Sequence, residues 1–164
     1  MDLIYPLKPY GAKVFTKMIN YLLDTNLLLR LSDNTSPDRA LTEQAILKLR
    51  VKGDLLCITT QNLIEFWAVV TRPTNVNGYG WTTQQAAAEI QYLRNKFIYL
   101  PDPPDVLQHW LALVAQHDIK GRRTHDARLA AVMQAHGITH LLTFNTDDFK
   151  PFTNLTLIHP GDGI

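Results

Sequence analysis

The stretch "INYLLDTNLLLRLSD", residues 19–33, decides the fold. Ile19, Tyr21, Leu22 and Leu23 lead straight into Asp24-Thr25-Asn26, and Leu27, Leu28, Leu29 and Leu31 then resume the apolar run. A short apolar segment bounded by polar residues predicts a buried strand over 19–24. Leu27–Leu31 predicts a short helix, capped by Thr25 or Asn26. The charge, hydroxyl and amide between them mark the point where a central strand leaves the sheet.

The same grammar repeats outward. "LLCITT" (55–60), "FIYL" (97–100), "THLLTF" (139–144) and "LTLIH" (155–159) read as further strands. Between them, helical spacing predicts a helix after Ser36-Pro37 that Gly53 ends. A second runs over 61–73, with Leu63, Phe66, Trp67 and Val70 on one face and Pro73 as its stop. Further helices are expected over 82–96, 105–117 and 126–136. "TNVNGYGW" (74–81) and "DIKGRRTH" (118–125) read as loops, and "NTDDF" (145–149) as a turn. Strands that are continuously apolar and alternate with helices imply a sheet covered on both faces. The expected fold is α/β: a three-layer α/β/α sandwich around a mostly parallel sheet of four to five strands.

Composition bounds the function. The chain has 164 residues, 46% hydrophobic and 19% charged, with a net charge of +1. That suits one folded domain, expected over 18–164, and any basic footprint must be local. Residues 1–17 precede the first strand and a second methionine, Met18, and are expected to be an N-terminal extension of uncertain role. The single cysteine, Cys57, sits in an apolar run and excludes an intrachain disulfide framework. No apolar run reaches the length of a membrane span, and the N-terminus does not look like a secretory signal. A cytoplasmic protein is the expectation.

In an open α/β sheet, ligands bind beyond the carboxyl ends of the strands. Asp24 ends the first strand, Glu65 lies in the helix after the second, and Asn145, Asp147 and Asp148 follow the fourth. Asp126 opens the helix leading to the fourth strand. Each has an ordinary use, as a helix cap, a solvated face or a turn. Together they would form an acidic cluster whose carboxylates repel one another unless a cation compensates. Mg²⁺ takes one or two carboxylates plus water, and such a site can polarise a phosphodiester and activate water.

The segments "YLLDTN" (21–26), "NLIEFWAV" (62–69), "HDARLAA" (125–131) and "LLTFNTDDF" (141–149), in that order, resemble a PIN-domain ribonuclease of the VapC-like kind, the toxin of bacterial toxin–antitoxin pairs. The resemblance spans roughly residues 19–159. It implies an α/β/α fold and an endoribonuclease dependent on Mg²⁺ or Mn²⁺. Asp24, Glu65, Asp126 and Asp148 would be the catalytic acids, with Asp24, Asp126, Glu65 and Asn145 as metal ligands. Thr25, Asn26 and Thr143 would orient them from behind. Asn145 departs from the Asp often found there, which leaves open whether it, Asp147 or Asp148 completes the site. The resemblance also implies an RNA substrate, a small antitoxin partner and a homodimer.

Lys120, Arg122, Arg123 and Arg128 surround Asp126, as cations would if phosphate binds there. His125 is read as shaping that loop, and Tyr79 and Trp81 as packing residues rather than base-stacking platforms. Exposed apolar residues near 64–70 and 82–93 are candidate partner contacts. The alternative function is a catalytically inert PIN-like module that binds RNA or protein. A phosphotransfer domain is disfavoured by Asn26, two residues after Asp24. A serine hydrolase lacks its G-x-S-x-G, and a zinc enzyme its H-E-x-x-H.

Overall fold

The computed structural model describes residues 17–164, so the N-terminal extension expected over 1–17 lies almost wholly outside the described residues. Five strands, β1 (Asn20–Leu23), β2 (Leu55–Thr59), β3 (Ile98–Leu100), β4 (His140–Leu142) and β5 (Thr156–Ile158), form one sheet. Its order is β3-β2-β1-β4-β5 and every pairing is parallel. The expected fold is therefore observed, at the upper strand count and, among the described residues, with no antiparallel strand.

Pleating sends alternate side chains to opposite faces. Tyr21 and Leu23 of β1, Leu56 and Ile58 of β2 and Leu142 of β4 enter one core. Leu22, Cys57 and Leu141 enter the other. The first core is closed by α1 (Thr25–Ser32), α2 (Arg39–Lys52), α3 (Thr60–Val70) and α4 (Thr83–Lys96). The second is closed by α5 (Val106–Gln116), α6 (Arg123–Ala135) and α7 (Thr146–Phe149). Burial on both faces is why the strands carry no apolar–polar alternation. Cys57 is buried, and that burial pushes its thiol up to about 11, so it is a core residue and not a nucleophile.

Helix starts follow local chemistry. Thr59 and Thr82 both form capping boxes, with Asn62 and Gln85 respectively, fixing where α3 and α4 begin. Several boundaries differ from expectation: α1 starts at Thr25 with Asp24, not Thr25 or Asn26, at its N-cap position, and α3 ends at Val70, three residues short of Pro73. α6 starts at Arg123, inside the expected charged loop, and no side chain caps it, so no residue announces it. The expected turn at 145–149 contains the single helical turn α7. Loop 74–81 includes a one-turn 3-10 helix, Thr74–Val76. Tyr79 and Trp81 pack edge-on to each other at 5.9 Å, and Trp81 meets Phe66 at 6.1 Å. They are packing residues against the first core. No helix among the described residues is long and apolar enough to cross a membrane.

Candidate active site

The chain builds outward from β1 in two directions, to β2 and β3 on one side and β4 and β5 on the other. The helices that follow β1 and β4 cover opposite faces, so the C-terminal ends of these neighbouring strands bound a crevice. Asp24 follows β1 there, and its backbone N–H donates to Leu142 O of β4 at 3.0 Å. A cleft of about 760 Å³ opens at this point. Asp24, Glu65, Asp126, Asn145 and Asp148 all line it, so topology brings together the acids that are dispersed in sequence.

Asp24 occupies the N-cap position of α1 but makes no side-chain cap bond. Its Oδ2 instead accepts from Thr143 Oγ1 at 2.6 Å and from Asn26 Nδ2 at 2.7 Å. Asn26 also donates to Thr143 Oγ1 at 3.2 Å and accepts from the Phe144 backbone N–H at 3.3 Å. The Asn145 N–H donates to Thr143 Oγ1 at 2.9 Å. The β1–α1 and β4–α7 connections are thus knit together around one carboxylate. Asp24 is 9% exposed. Burial pushes its carboxyl up to about 6, against the lowering effect of the Thr143 and Thr25 donors. The charges of Glu65 and Asp148 push further upward.

Glu65 sits on α3 and is held from two sides. Thr25 Oγ1 donates to its Oε2 at 2.8 Å, and Gln61 Nε2 donates to its Oε1 at 2.8 Å. Thr25 is itself held by Asn62 Nδ2 at 3.2 Å. Gln61 Nε2 also donates to the His125 carbonyl at 2.9 Å, which ties α3 to the first turn of α6. Asp126 stands in that turn. Its carboxyl is pushed up to about 6, chiefly by burial and then by Asp148, Asp24 and Glu65. Arg123 acts in the opposite direction.

Two of the basic residues expected around Asp126 are brought to the cleft and two are not. Arg122 and Arg123 line it, and Arg123 Nη2 donates to the Asp148 carbonyl at 3.2 Å. Lys120 pairs with Asp118 at 2.8 Å at an exposed turn and does not line the cleft. Arg128 is turned away, donating to Gln61 Oε1 at 3.0 Å and to Asp102 Oδ2 at 2.6 Å, so it braces Gln61 from behind. Asp147 pairs with Lys150 and is also absent from the cleft, so Asp148 is the acid that α7 contributes. Sequence reasoning missed Gln61, Asp102 and Arg72, the last of which lines the cleft beyond Glu65. The signal available for Gln61 was spacing. Gln61 lies on the Glu65 face of α3, four residues before it, and Arg72 follows two residues after the helix ends.

Among the described residues, no three acidic, histidine or cysteine side chains converge closely enough to enclose a metal ion by themselves. The donor chemistry nevertheless suits a hard cation. Carboxylates that raise one another's pKa are the groups a divalent ion relieves, and Mg²⁺ completes its shell with water.

A PIN domain profile matches residues 21–153. Ribonuclease VapC24 of Mycobacterium tuberculosis is 25% identical over 130 residues, covering 79% of this chain and 89% of that protein. Among solved structures, VapBC2 of Rickettsia felis, bound to a DNA fragment from its promoter, superposes with a TM-score of 0.66. Its identity is 20%, over 86% of this chain and 98% of that one. Mycobacterium tuberculosis VapC20, a Sarcin-Ricin loop cleaving toxin, gives a TM-score of 0.61 at 17% identity, over 79% and 93%. The fold, the order of the segments and the matched span together place this chain in the PIN-domain family.

Proposed function

We propose that this chain is a divalent-metal-dependent endoribonuclease and the toxin of a toxin–antitoxin pair, with residues 18–164 as its single nuclease domain. The observation that carries this reading is the convergence of Asp24, Glu65, Asp126 and Asp148 in one cleft at the sheet's switch point. The similarity to a curated ribonuclease supports the activity, and the VapBC neighbours support the pairing.

Asp24, Asp126 and Glu65 would hold Mg²⁺ or Mn²⁺, with Asn145 and Asp148 at the edge of the site. A bound cation of this kind supplies a Lewis acid for the phosphodiester and a water of lowered pKa. Thr143 and Asn26 fix the orientation of Asp24 by donating to Oδ2, leaving Oδ1 for a cation, and the Thr143 donor opposes the rise in its pKa. Thr25 and Gln61 orient Glu65 with one donor on each carboxylate oxygen. Arg122 and Arg123 bring positive charge to the rim, where RNA phosphates would enter. No side chain needs to form a covalent intermediate. The cognate antitoxin and a second copy of the chain are the expected protein partners.

The test is cleavage of RNA by the purified protein with Mg²⁺, with Mn²⁺ and with EDTA, beside Asp24→Asn and Asp126→Asn. Metal-dependent cleavage lost in both variants is expected. Cleavage that survives in either repurified variant overturns the assignment, and binding of RNA without cleavage or metal uptake favours the inert module.

A further inference from the structure

Arg72 lines the cleft, yet among the described residues its guanidinium makes no ion pair and no hydrogen bond. Its backbone, in contrast, is fixed. The Arg72 N–H donates to Val69 O at 3.3 Å, closing a turn just past the end of α3, and the Arg72 carbonyl accepts from Gly80 N–H at 2.8 Å. Tyr79 N–H and Trp81 N–H return to Val69 O and Val70 O at 3.2 and 2.8 Å. Loop 73–81 is thus folded back onto the end of α3. The closeness of this return demands Gly78, because a Cβ there would lie 2.0 Å from the Arg72 carbonyl oxygen. A long cation on a braced backbone, unpaired and facing a cleft, is poised for an anionic ligand.

Its place relative to the acids gives that ligand a direction. Arg72 lies two residues past the end of α3, the helix that carries Glu65, and both residues line the cleft. Ala68 and Val69 of α3 and Leu29 of α1 line the cleft between them. Arg123 opens α6 and Arg122 precedes it, in the helical layer across the sheet. The cleft therefore has cations at both ends, an apolar strip and a buried acidic centre. Asp24 is 9% exposed, so a phosphodiester reaches it only if the strand itself enters the cleft, which a paired duplex does not do.

We infer that Arg72 is a second phosphate-binding residue. Single-stranded RNA crosses the acidic centre with one flanking phosphate on Arg72 and another on Arg122 or Arg123. Leu29, Ala68 and Val69 lie against a sugar or base between them. This rests on the ribonuclease reading and assigns Arg72 to the backbone of its substrate.

The experiment is binding of a labelled single-stranded RNA in EDTA over a range of KCl, with wild type, Arg72→Ala, Arg72→Lys and Lys48→Ala. Cleavage kinetics and Mn²⁺ binding are measured on the same proteins. Each phosphate contact on a single strand contributes about 0.7 to the log–log salt slope. Arg72→Ala is expected to lower the slope by about that amount and raise KM roughly tenfold, the loss of one charge-assisted contact. Its kcat and Mn²⁺ affinity should be retained. Arg72→Lys should keep most of the slope. Lys48→Ala, which removes a charge from the exposed side of α2, should match wild type. An unchanged slope and KM in Arg72→Ala, with cleavage intact, overturns the inference while the ribonuclease reading stands. RNA binding with an Arg72-dependent slope but no cleavage would sustain the inference and remove the ribonuclease reading. No binding and no cleavage would remove both.

Discussion

Replacing Asp24 with Asn should make the metal-free protein more stable while abolishing its activity. Asp24 is nearly enclosed, and burial with its acidic neighbours moves its carboxyl from an ordinary 3.8 to about 6. At 1.36 kcal/mol per pH unit, keeping that group ionised in the folded state costs about 3 kcal/mol. An asparagine is the same shape, and its amide oxygen can accept the Thr143 and Asn26 donations that Oδ2 accepts now. The sign is set by the raised pKa. Wild-type stability from this group is present below pH 4 and lost as pH rises through about 6. The advantage of Asp24→Asn should therefore be near zero below pH 4 and reach up to about 3 kcal/mol at pH 7.5 in EDTA. For a chain of this size that corresponds to roughly 6 to 12 °C in Tm. The assay is urea unfolding of both proteins in EDTA at several pH values, repeated with Mn²⁺. The cation should stabilise wild type and leave the variant unmoved. A variant that is less stable than wild type in EDTA at pH 7.5, or whose advantage does not change with pH, would refute the reasoning.

Thr143→Val removes a donor that holds Asp24 down. The acid limb of the kcat/KM profile should move to higher pH and metal affinity should fall. An unshifted profile would show that the 2.6 Å bond does not act on Asp24. Gln61→Leu frees Glu65 and unties α3 from His125. Metal affinity or activity should drop by roughly 10- to 100-fold, the usual cost of losing a group that orients a ligand, with circular dichroism unchanged. Asp102→Asn, one bond further back through Arg128, should cost less than Gln61→Leu in the same assays, and a larger loss would break the proposed order of support. Gly78→Ala should raise KM in parallel with Arg72→Ala, because a Cβ at 78 displaces the Arg72 backbone.

The strands were legible because two-sided burial leaves an unambiguous mark. The β1 residues Tyr21, Leu22 and Leu23 have no polar partner to alternate with, and each enters a core. The acids were legible because a parallel sheet delivers the residues after each of its strands to one edge. Asp24 could have been a helix cap in sequence terms. Only its hydrogen bonds to Thr143 and Asn26, one of them from a residue 119 positions away, separate the two uses. The placement of Arg128 was illegible for the same reason. Its charge suggests phosphate, but Asp102, 26 residues earlier, draws it out of the cleft. Arg72 was hidden because Pro73 signals the end of α3 and says nothing of how the next eight residues return.

The most direct measurement pairs Mn²⁺ binding, monitored by electron paramagnetic resonance, with RNA cleavage in the same preparations of wild type, Asp24→Asn and Asp126→Asn. A carboxylate-held cation at the β1–β4 switch point requires that wild type bind Mn²⁺ and cut RNA, and that both properties disappear together in each variant. Cleavage that persists in EDTA, or in a variant that no longer binds Mn²⁺, would contradict it.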